Sequence, residues 1–351
     1  MNFKIKLFGA AMLTMLLAMA VDVYAQQPGT SPGPGTRYAT DAYPGFDSED
    51  EIIKPSKKKP PIFGWLYGPK MNDPKSQLEW CDECLKDGSY RAARKGLDAL
   101  VREWPASAEA PVAQLKLAEL ERDHYLDNEK AFKEFRYLID FYPFQCDYDA
   151  VINEMYRLAE RLREDGKKLM FFRFANTVDV RRAYEALILR SRGASFTPKA
   201  MITVAKLRED EGKFSHAIQV YENIRNLFPQ SPQAEEALIG EARSRMEILS
   251  MFEYNRKRTL DTAQFLKLSI PTIADKGERE EFSKMYEKTV KMIEDEAYRS
   301  AKFYDSRTRT RRSAINAYEK YLRDYPNSEH AEIVRQRIEE LKVTHQGSEN
   351  E

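Results

Sequence analysis

Apolar residues recur along this chain at fixed distances before a proline. Counting back from Pro326, a small residue lies twelve positions upstream, and tyrosines lie eight, five and one positions upstream. A serine follows two positions after the proline and an alanine five positions after it. The upstream offsets share one face of an α-helix, and proline ends a helix because it disfavours the α conformation at the preceding residue. The pattern therefore predicts an amphipathic helix that stops at the proline. The residues of the whole pattern, before and after Pro326, are Ala314, Tyr318, Tyr321, Tyr325, Ser328 and Ala331.

The same pattern precedes three further prolines, so the chain contains an internal repeat. Pro105 and Pro229 carry every position, whereas a glutamine and a tyrosine replace the serine and the alanine after Pro143. The matching residues are Ala93, Leu97, Leu100, Trp104, Ser107 and Ala110; Ala131, Phe135, Leu138, Tyr142, Gln145 and Tyr148; and Ala217, Tyr221, Ile224, Phe228, Ser231 and Ala234. We expect degenerate copies around Ala183–Leu187 and Thr262–Leu266. Each copy predicts two helices joined by a turn, with the serine capping the next helix.

This spacing resembles the tetratricopeptide repeat over roughly residues 75–342. The resemblance implies an all-α fold, a tetratricopeptide-like α-solenoid of about five to six helical hairpins in a right-handed superhelix. In such arrays the first helix of each pair lines the surface that binds extended peptides. The candidate peptide groove consists of the non-packing positions Leu78, Asp82, Leu85, Lys199, Ile202, Lys206 and Glu209. The alternative for each of these residues is an ordinary exposed position on a helix.

The stretch Glu296–Asp305, followed by the copy that ends at Ser328, resembles a narrower group, the outer-membrane-assembly lipoproteins of the BamD type. That resemblance implies a role in folding and inserting β-barrel proteins, with substrate peptides on the N-terminal repeats and the barrel-forming partner on the C-terminal ones. A basic cluster before the last repeat is the candidate partner-docking site, and it contains Arg307, Arg309, Arg311 and Arg312. The alternative is a helix start that is simply exposed to water. Periplasmic coordinators of the Tol–Pal type share the same repeat ending.

The N-terminal segment predicts export. Lys4 and Lys6 precede the apolar run Leu7–Val21, and we expect cleavage of a signal peptide, residues 1–25, between Ala25 and Gln26. The alternative, an uncleaved anchor, requires about 20 apolar residues, more than this run supplies. The lipoprotein group carries a lipid-bearing cysteine at the cleavage point, and none stands here. We therefore expect periplasmic location, with any outer-membrane association made through a partner.

Two segments flank the predicted array. Residues 26–74 form a Pro/Gly-rich and charged linker, and residues 343–351 form a polar tail. Within the linker, residues 62–67 are an apolar cluster, Ile-Phe-Gly-Trp-Leu-Tyr. A solenoid needs its terminal repeats covered, so this cluster either folds back over the exposed end of the array or docks a partner.

Composition and motifs favour a binding protein over an enzyme. Basic and acidic residues number 56 each, without the basic excess of nucleic-acid binders, so we expect other envelope proteins as partners. The chain shows no phosphate-binding loop, no nucleophile elbow and no metal spacing among its histidines, which predicts neither cofactor nor metal. Cys81 and Cys84 form a C-x-x-C motif, but their helical context favours packing over redox chemistry. A thiol enzyme built on this pair remains the third hypothesis, after the barrel-assembly scaffold and the Tol–Pal-type or cell-wall adaptor.

Overall fold

The structure is a computed structural model that describes residues 68–168, 173–191, 193–252, 254–306 and 311–348, with side chains for all of these except 166–178 and 344–348. The predicted signal peptide with its cleavage site at Ala25 and Gln26, nearly all of the linker, and the apolar cluster 62–67 lie outside the described residues.

Every regular element in these ranges is helical, which confirms the all-α prediction. The thirteen α-helices are α1 Pro74–Lys86, α2 Tyr90–Glu103, α3 Glu109–Asp123, α4 Asn128–Phe141, α5 Tyr148–Lys168, α6 Arg173–Arg190, α7 Thr197–Asp210, α8 Phe214–Leu227, α9 Gln233–Met251, α10 Arg256–Ser269, α11 Lys276–Asp305, α12 Arg311–Asp324 and α13 Ala331–Ser348. A short 3₁₀ helix, Ile270–Thr272, follows α10.

Contacts divide the chain into two compact units, one up to Leu207 and one from Arg208, and α7 runs across the division. In the first unit the helices from α1 to α6 pack in order, with α1 on α2, α2 on α3 and so on up to α5 on α6. In the second unit the same holds from α8 to α13. First helices of successive pairs also touch, α1 on α3 and α9 on α11. This consecutive packing is that of stacked helical hairpins, and the prediction of a tetratricopeptide-like array is confirmed.

The repeat residues form the contacts between helices. In all four strong copies the small residue and the first two large apolar residues are between 0 and 3% exposed. Burial of each large side chain stabilises the fold by about 1.5–3 kcal/mol. The helix before each anchor proline also ends as predicted, two residues ahead of Pro105, Pro143, Pro229 and Pro326.

The predicted capping role of the serines is wrong in the two copies whose caps are defined. The N-cap residues are Ala108 and Pro232, and neither makes a side-chain capping bond. The helices begin two residues after Ser107 and Ser231, so each serine lies one position too early to cap. Its backbone shapes the turn instead, because the N–H of Ser107 donates to the carbonyl of Trp104 at 3.0 Å.

The degenerate copy in α10 lies in a register that the sequence comparison missed. Counting back from Pro271, the twelve, eight, five and one positions hold Thr259, Ala263, Leu266 and Ile270. The first three are buried, as the pattern requires. This copy has Ala263 where three of the strong copies have an aromatic residue. Phe282 of α11 supplies an aromatic ring to the core cluster that contains Leu266.

Helix α13 covers the C-terminal end of the array. Its buried face contains Ala331, Val334, Ile338 and Leu341, and the last three belong with Tyr318 and Tyr321 of α12 to one core. Its other face is rich in charged residues, as the terminal helix of a solenoid requires for solubility. The helix continues to Ser348, past residue 342, where the sequence suggested that the array ends.

One turn between the helices of a pair holds a strained residue. Gly88 and Gly212, in the α1–α2 and α7–α8 turns, have φ of 71° and 72°. The α3–α4 turn places Leu126 in the same left-handed region, with φ of 53°. Its side chain is 73% exposed, so few contacts offset the steric cost.

We expect Leu126→Gly to raise the free energy of unfolding by up to about 1 kcal/mol, because glycine removes the strain at this φ. The reverse substitution, Gly212→Leu, is the matched control and should lower it by a similar amount, since an added Cβ there meets no atom within 4 Å. Chemical denaturation followed by circular dichroism measures both. A loss of stability in Leu126→Gly would contradict the strain argument.

Candidate functional site

A half-buried strip on the first helices of the N-terminal hairpins contains three of the predicted groove residues. Leu78, Asp82 and Leu85 lie along one face of α1 and are all partly exposed. Helix α3 packs beside it, where Val112 is 42% exposed. Between the leucines, the ammonium of Lys116 on α3 donates to the carboxylate of Asp82. We call Leu78, Asp82, Leu85, Val112 and Lys116 the first-helix strip. It consists of an ion pair with apolar side chains near it.

Polar pairs of this kind join first helices along the array. The partners stand 32 to 38 residues apart, about one repeat. The pairs after Asp82–Lys116 are Arg122–Glu154 at 3.4 Å, Ser244–Glu209 at 2.6 Å, Arg243–Glu281 at 3.2 Å and Arg337–Asp305 at 2.7 Å. The ion pairs among them are individually worth about 0–1 kcal/mol. They align neighbouring first helices, so a bound peptide would meet side chains that are already paired.

The predicted groove residues on α7 divide into three kinds. Lys199 and Lys206 are exposed, as predicted. Ile202 is only 5% exposed, so its prediction as a recognition residue is wrong: the side chain belongs to the packed interior of the helix pair. Glu209 is partly buried and accepts a hydrogen bond from Ser244.

Glu209 also takes part in a recurrent contact with a buried tyrosine. In three hairpins a tyrosine of the second helix bonds a carboxylate of the first, in the pairs Tyr184–Glu160 at 2.6 Å, Tyr221–Glu209, and Tyr318–Asp305 at 3.2 Å. Burial, reinforced by the neighbouring carboxylate, raises the pKa of all three tyrosines. Each hydroxyl therefore stays protonated and donates, which satisfies a polar group inside the helix pair.

The basic cluster is described only in part. Arg311 and Arg312 open α12, the first partly buried and the second exposed, whereas Arg307 and Arg309 lie outside the described residues. Positive charge at a helix N-terminus is unfavourable for the helix itself. The charge of these two arginines therefore does not stabilise α12 through the helix dipole.

The cysteines of the C-x-x-C motif are free thiols, and Cys81 is fully buried. Burial raises the pKa of Cys81 to about 12 and also raises the pKa of Cys84. A thiol with so high a pKa is a poor nucleophile at neutral pH. Cys81 contacts Gly96 of α2, where an added Cβ would lie 2.6 Å from its sulfur. This position fits a packing role.

A pocket at the first hairpin was not anticipated from the sequence. Its volume is about 770 Å³, and its walls come from the chain before α1, from α1 itself, from the α1–α2 turn with the start of α2, and from the end of α3. The lining residues are Gly68, Lys70, Trp80, Gly88, Ser89, Tyr90, Arg91, Ala92, Lys95, Gly96, His124 and Tyr125. Tyr90 and His124 stack with ring centroids 3.7 Å apart. The pocket is aromatic and cationic, and its residues converge from segments far apart in the chain.

Within the described ranges, no three side chains of the metal-ligating types come together to hold an ion. None of the helices described has the length and apolar character needed to cross a membrane.

No protein-family model matches the sequence, and no curated protein does. Among solved structures, the chain is similar to the TPR2AB domain of yeast Sti1 in its pHSP90 complex, at 14% identity and a TM-score of 0.27, covering 65% of this chain and 88% of that one. It is also similar to a tetratricopeptide repeat protein from Parabacteroides merdae, at 12% identity and a TM-score of 0.26, covering 77% and 98%.

A third similar structure is PilW, a type IV pilus biogenesis factor, at 16% identity and a TM-score of 0.23, covering 75% of this chain and 99% of that one. TM-scores in this range mark only a general likeness. The fold assignment therefore rests on the consecutive helix packing within this chain.

We expect Glu209→Ala to lower the free energy of unfolding by about 1–3 kcal/mol, because the buried hydroxyls of Tyr221 and Ser244 lose their acceptor. Adding Tyr221→Phe should recover part of the loss, since the tyrosine hydroxyl is then removed as well. Lys206→Ala, on the exposed side of the same helix, is the control and should change stability by less than about 0.5 kcal/mol. Equal effects of Glu209→Ala and Lys206→Ala, measured by denaturation, would return Glu209 to the candidate recognition residues.

Proposed function

We propose that the protein is a non-enzymatic scaffold that binds an extended polypeptide on the first-helix strip. The observation that carries this proposal is the group of partly exposed Leu78 and Leu85 and exposed Val112 near the Asp82–Lys116 pair, on helices that pack against one another. Apolar contacts supply affinity and flanking charges supply orientation when a peptide lies across a helical surface.

The finer proposal is a periplasmic role in the assembly of outer-membrane β-barrel proteins. It is supported by the signal-peptide pattern of residues 1–25 and by the resemblance of Glu296–Ser328 to the BamD-type lipoproteins. Unfolded barrel proteins are then the polypeptides bound at the N-terminal hairpins, and a barrel-forming partner docks near Arg311 and Arg312. The alternative is a Tol–Pal-type or cell-wall adaptor, which shares the repeat ending. It ranks second because such adaptors often carry a coiled coil before the repeats, where this chain has a Pro/Gly-rich linker.

We expect the double variant Leu78→Glu/Leu85→Glu to weaken binding of a fluorescently labelled, urea-unfolded outer-membrane barrel protein by at least about tenfold, since two apolar contacts are replaced by charge. Fluorescence anisotropy with the purified mature chain measures the affinity. Circular dichroism confirms that the helices remain.

Leu260→Glu/Leu268→Glu is the matched control. These leucines are exposed on α10, a second helix, at 40% and 64%. The control should bind like the wild type. If both double variants lose affinity equally, or neither does, the first-helix strip is not the binding surface.

We expect Arg311→Glu/Arg312→Glu to abolish recovery of a barrel-assembly protein when the tagged chain is crosslinked in cells and purified from the envelope. The reversal of two charges would repel an acidic partner surface. Arg256→Glu/Lys257→Glu makes the same change at the start of α10, where both side chains are exposed, and should leave recovery intact.

Failure of the wild-type chain to recover any barrel-assembly protein would contradict the finer proposal. Recovery of Tol–Pal components in its place would support the adaptor. Neither outcome bears on the first-helix strip, which the binding measurement with the unfolded barrel protein tests separately.

A further inference from the structure

The pocket at the first hairpin has aromatic walls that are held in place by contacts within the array. Tyr90, at the start of α2, stacks on His124, at the end of α3, with ring centroids 3.7 Å apart. The ring of Tyr125 meets His124 edge-on, with centroids 4.9 Å apart. On α1, the ring of Trp80 packs on Gly96 of α2, where an added Cβ would lie 2.6 Å from it. Because these contacts fix the rings, a ligand does not have to order them on binding.

Three cationic side chains also line the pocket. Lys70 comes from the chain before α1, and Arg91 and Lys95 come from the first two turns of α2. Arg91 and Lys95 stand four residues apart, so they are neighbours on one face of that helix. All three residues are exposed. The chain as a whole has equal numbers of basic and acidic residues, so this positive charge is a local feature and favours an anionic ligand.

The start of α2 adds to the preference for an anion. Its N-cap residue, Ser89, makes no side-chain capping bond and lines the pocket together with Tyr90. The first N–H groups of an α-helix have no acceptor within the helix, and the helix dipole places partial positive charge there. A carboxylate in the pocket can therefore accept from these N–H groups in place of a capping side chain.

The size of the pocket and the placement of its charges indicate a segment of polypeptide. A volume of about 770 Å³ is large enough for a side-chain ring together with the groups on either side of it. The cations stand on two separate segments, before α1 and on α2, so they match two carboxylates better than one. In a polypeptide, a ring with a carboxylate on each side arises where an aromatic residue lies between two acidic ones.

The pocket uses a different side of α1 from the first-helix strip. Successive residues of an α-helix are rotated by about 100°, so Trp80 lies about 200° around the helix from Leu78. Leu78, Asp82 and Leu85 share the strip face, and Trp80 projects from nearly the opposite face. A segment bound in the pocket therefore contacts other side chains than a polypeptide bound on the strip.

We propose that this pocket is a second binding site, which takes an acidic segment of a partner polypeptide with an aromatic residue at its centre. The aromatic side chain packs on Trp80, Tyr90 and Tyr125, and the flanking carboxylates accept from Lys70 and Arg91. The site goes beyond the proposed scaffold function, because it lies apart from the first-helix strip and selects its partner by charge as well as by apolar contact.

Isothermal titration calorimetry of the full mature chain with three end-blocked pentapeptides tests the ligand class. Gly-Asp-Phe-Asp-Gly should bind. Gly-Asn-Phe-Asn-Gly keeps the ring but removes both charges, and Gly-Asp-Ala-Asp-Gly keeps the charges but removes the ring. Each of these two should bind at least about tenfold more weakly than the first. Equal affinity for all three peptides, or no binding of the first in the millimolar range, would overturn the proposal.

A pair of charge-reversal variants locates the binding on the chain. Lys70→Glu/Arg91→Glu changes two exposed residues of the pocket and should weaken binding of Gly-Asp-Phe-Asp-Gly at least about tenfold, while circular dichroism stays unchanged. Arg256→Glu/Lys257→Glu makes the same change at exposed positions of α10 and should bind like the wild type. Equal losses in the two double variants would mean that only the overall charge matters, and the pocket would not be the site.

A neutral variant of the first-helix strip separates the two binding surfaces. Leu78→Ser/Leu85→Ser should bind Gly-Asp-Phe-Asp-Gly with the affinity of the wild type, because neither leucine lines the pocket. Loss of binding in this variant and retention in Lys70→Glu/Arg91→Glu would place the peptide on the strip and overturn the proposal. The binding of the unfolded barrel protein is measured separately, so the strip and the pocket stand or fall independently.

Discussion

The close approach of neighbouring helices at small residues is the constraint on which this structure depends. The ring of Tyr221 lies over Gly240 of α9, where no Cβ could be accommodated without movement of the ring. Gly96 similarly admits Trp80 and Cys81 of α1. Interiors are packed at the density of organic crystals, so each hairpin fixes the position of the next through these contacts. The small residues of the repeat, which lie opposite aromatic rings, therefore set the distance between neighbouring helices.

Such packing brings polar atoms into the interior, and the array satisfies them in a repeated way. Tyrosine rings fill the space between the helices of a pair, and their hydroxyls reach carboxylates on the first helix. At Asp305 the same carboxylate also accepts from Arg337 of α13, which couples the packing of one pair to the next helix. The pKa of Asp305 is lowered by this arginine and by the tyrosine. Carboxylates such as Asp305, which the helical pattern places on an exposed face, therefore stabilise the packing of the helices.

Because many charged residues of the first helices are held in structural pairs, fewer side chains are available to recognise a partner. Asp82 and Glu209 are held by Lys116 and Ser244, whereas Leu78 and Leu85 remain partly exposed with no comparable polar tie. A polypeptide bound to the first-helix strip would gain mainly from the apolar residues and use the paired charges for orientation. The aromatic pocket at the first hairpin is built from other residues.

The sequence by itself determined the positions of the helices, their ends at the prolines and the buried residues of each strong copy. These follow from helical periodicity and from proline sterics, which are local. Only the tertiary structure decided that Ile202 is buried, that Glu209 serves a tyrosine and that aromatic residues from separate segments form a pocket. Those outcomes depend on which helices become neighbours and how closely they approach, and a linear pattern does not specify those distances.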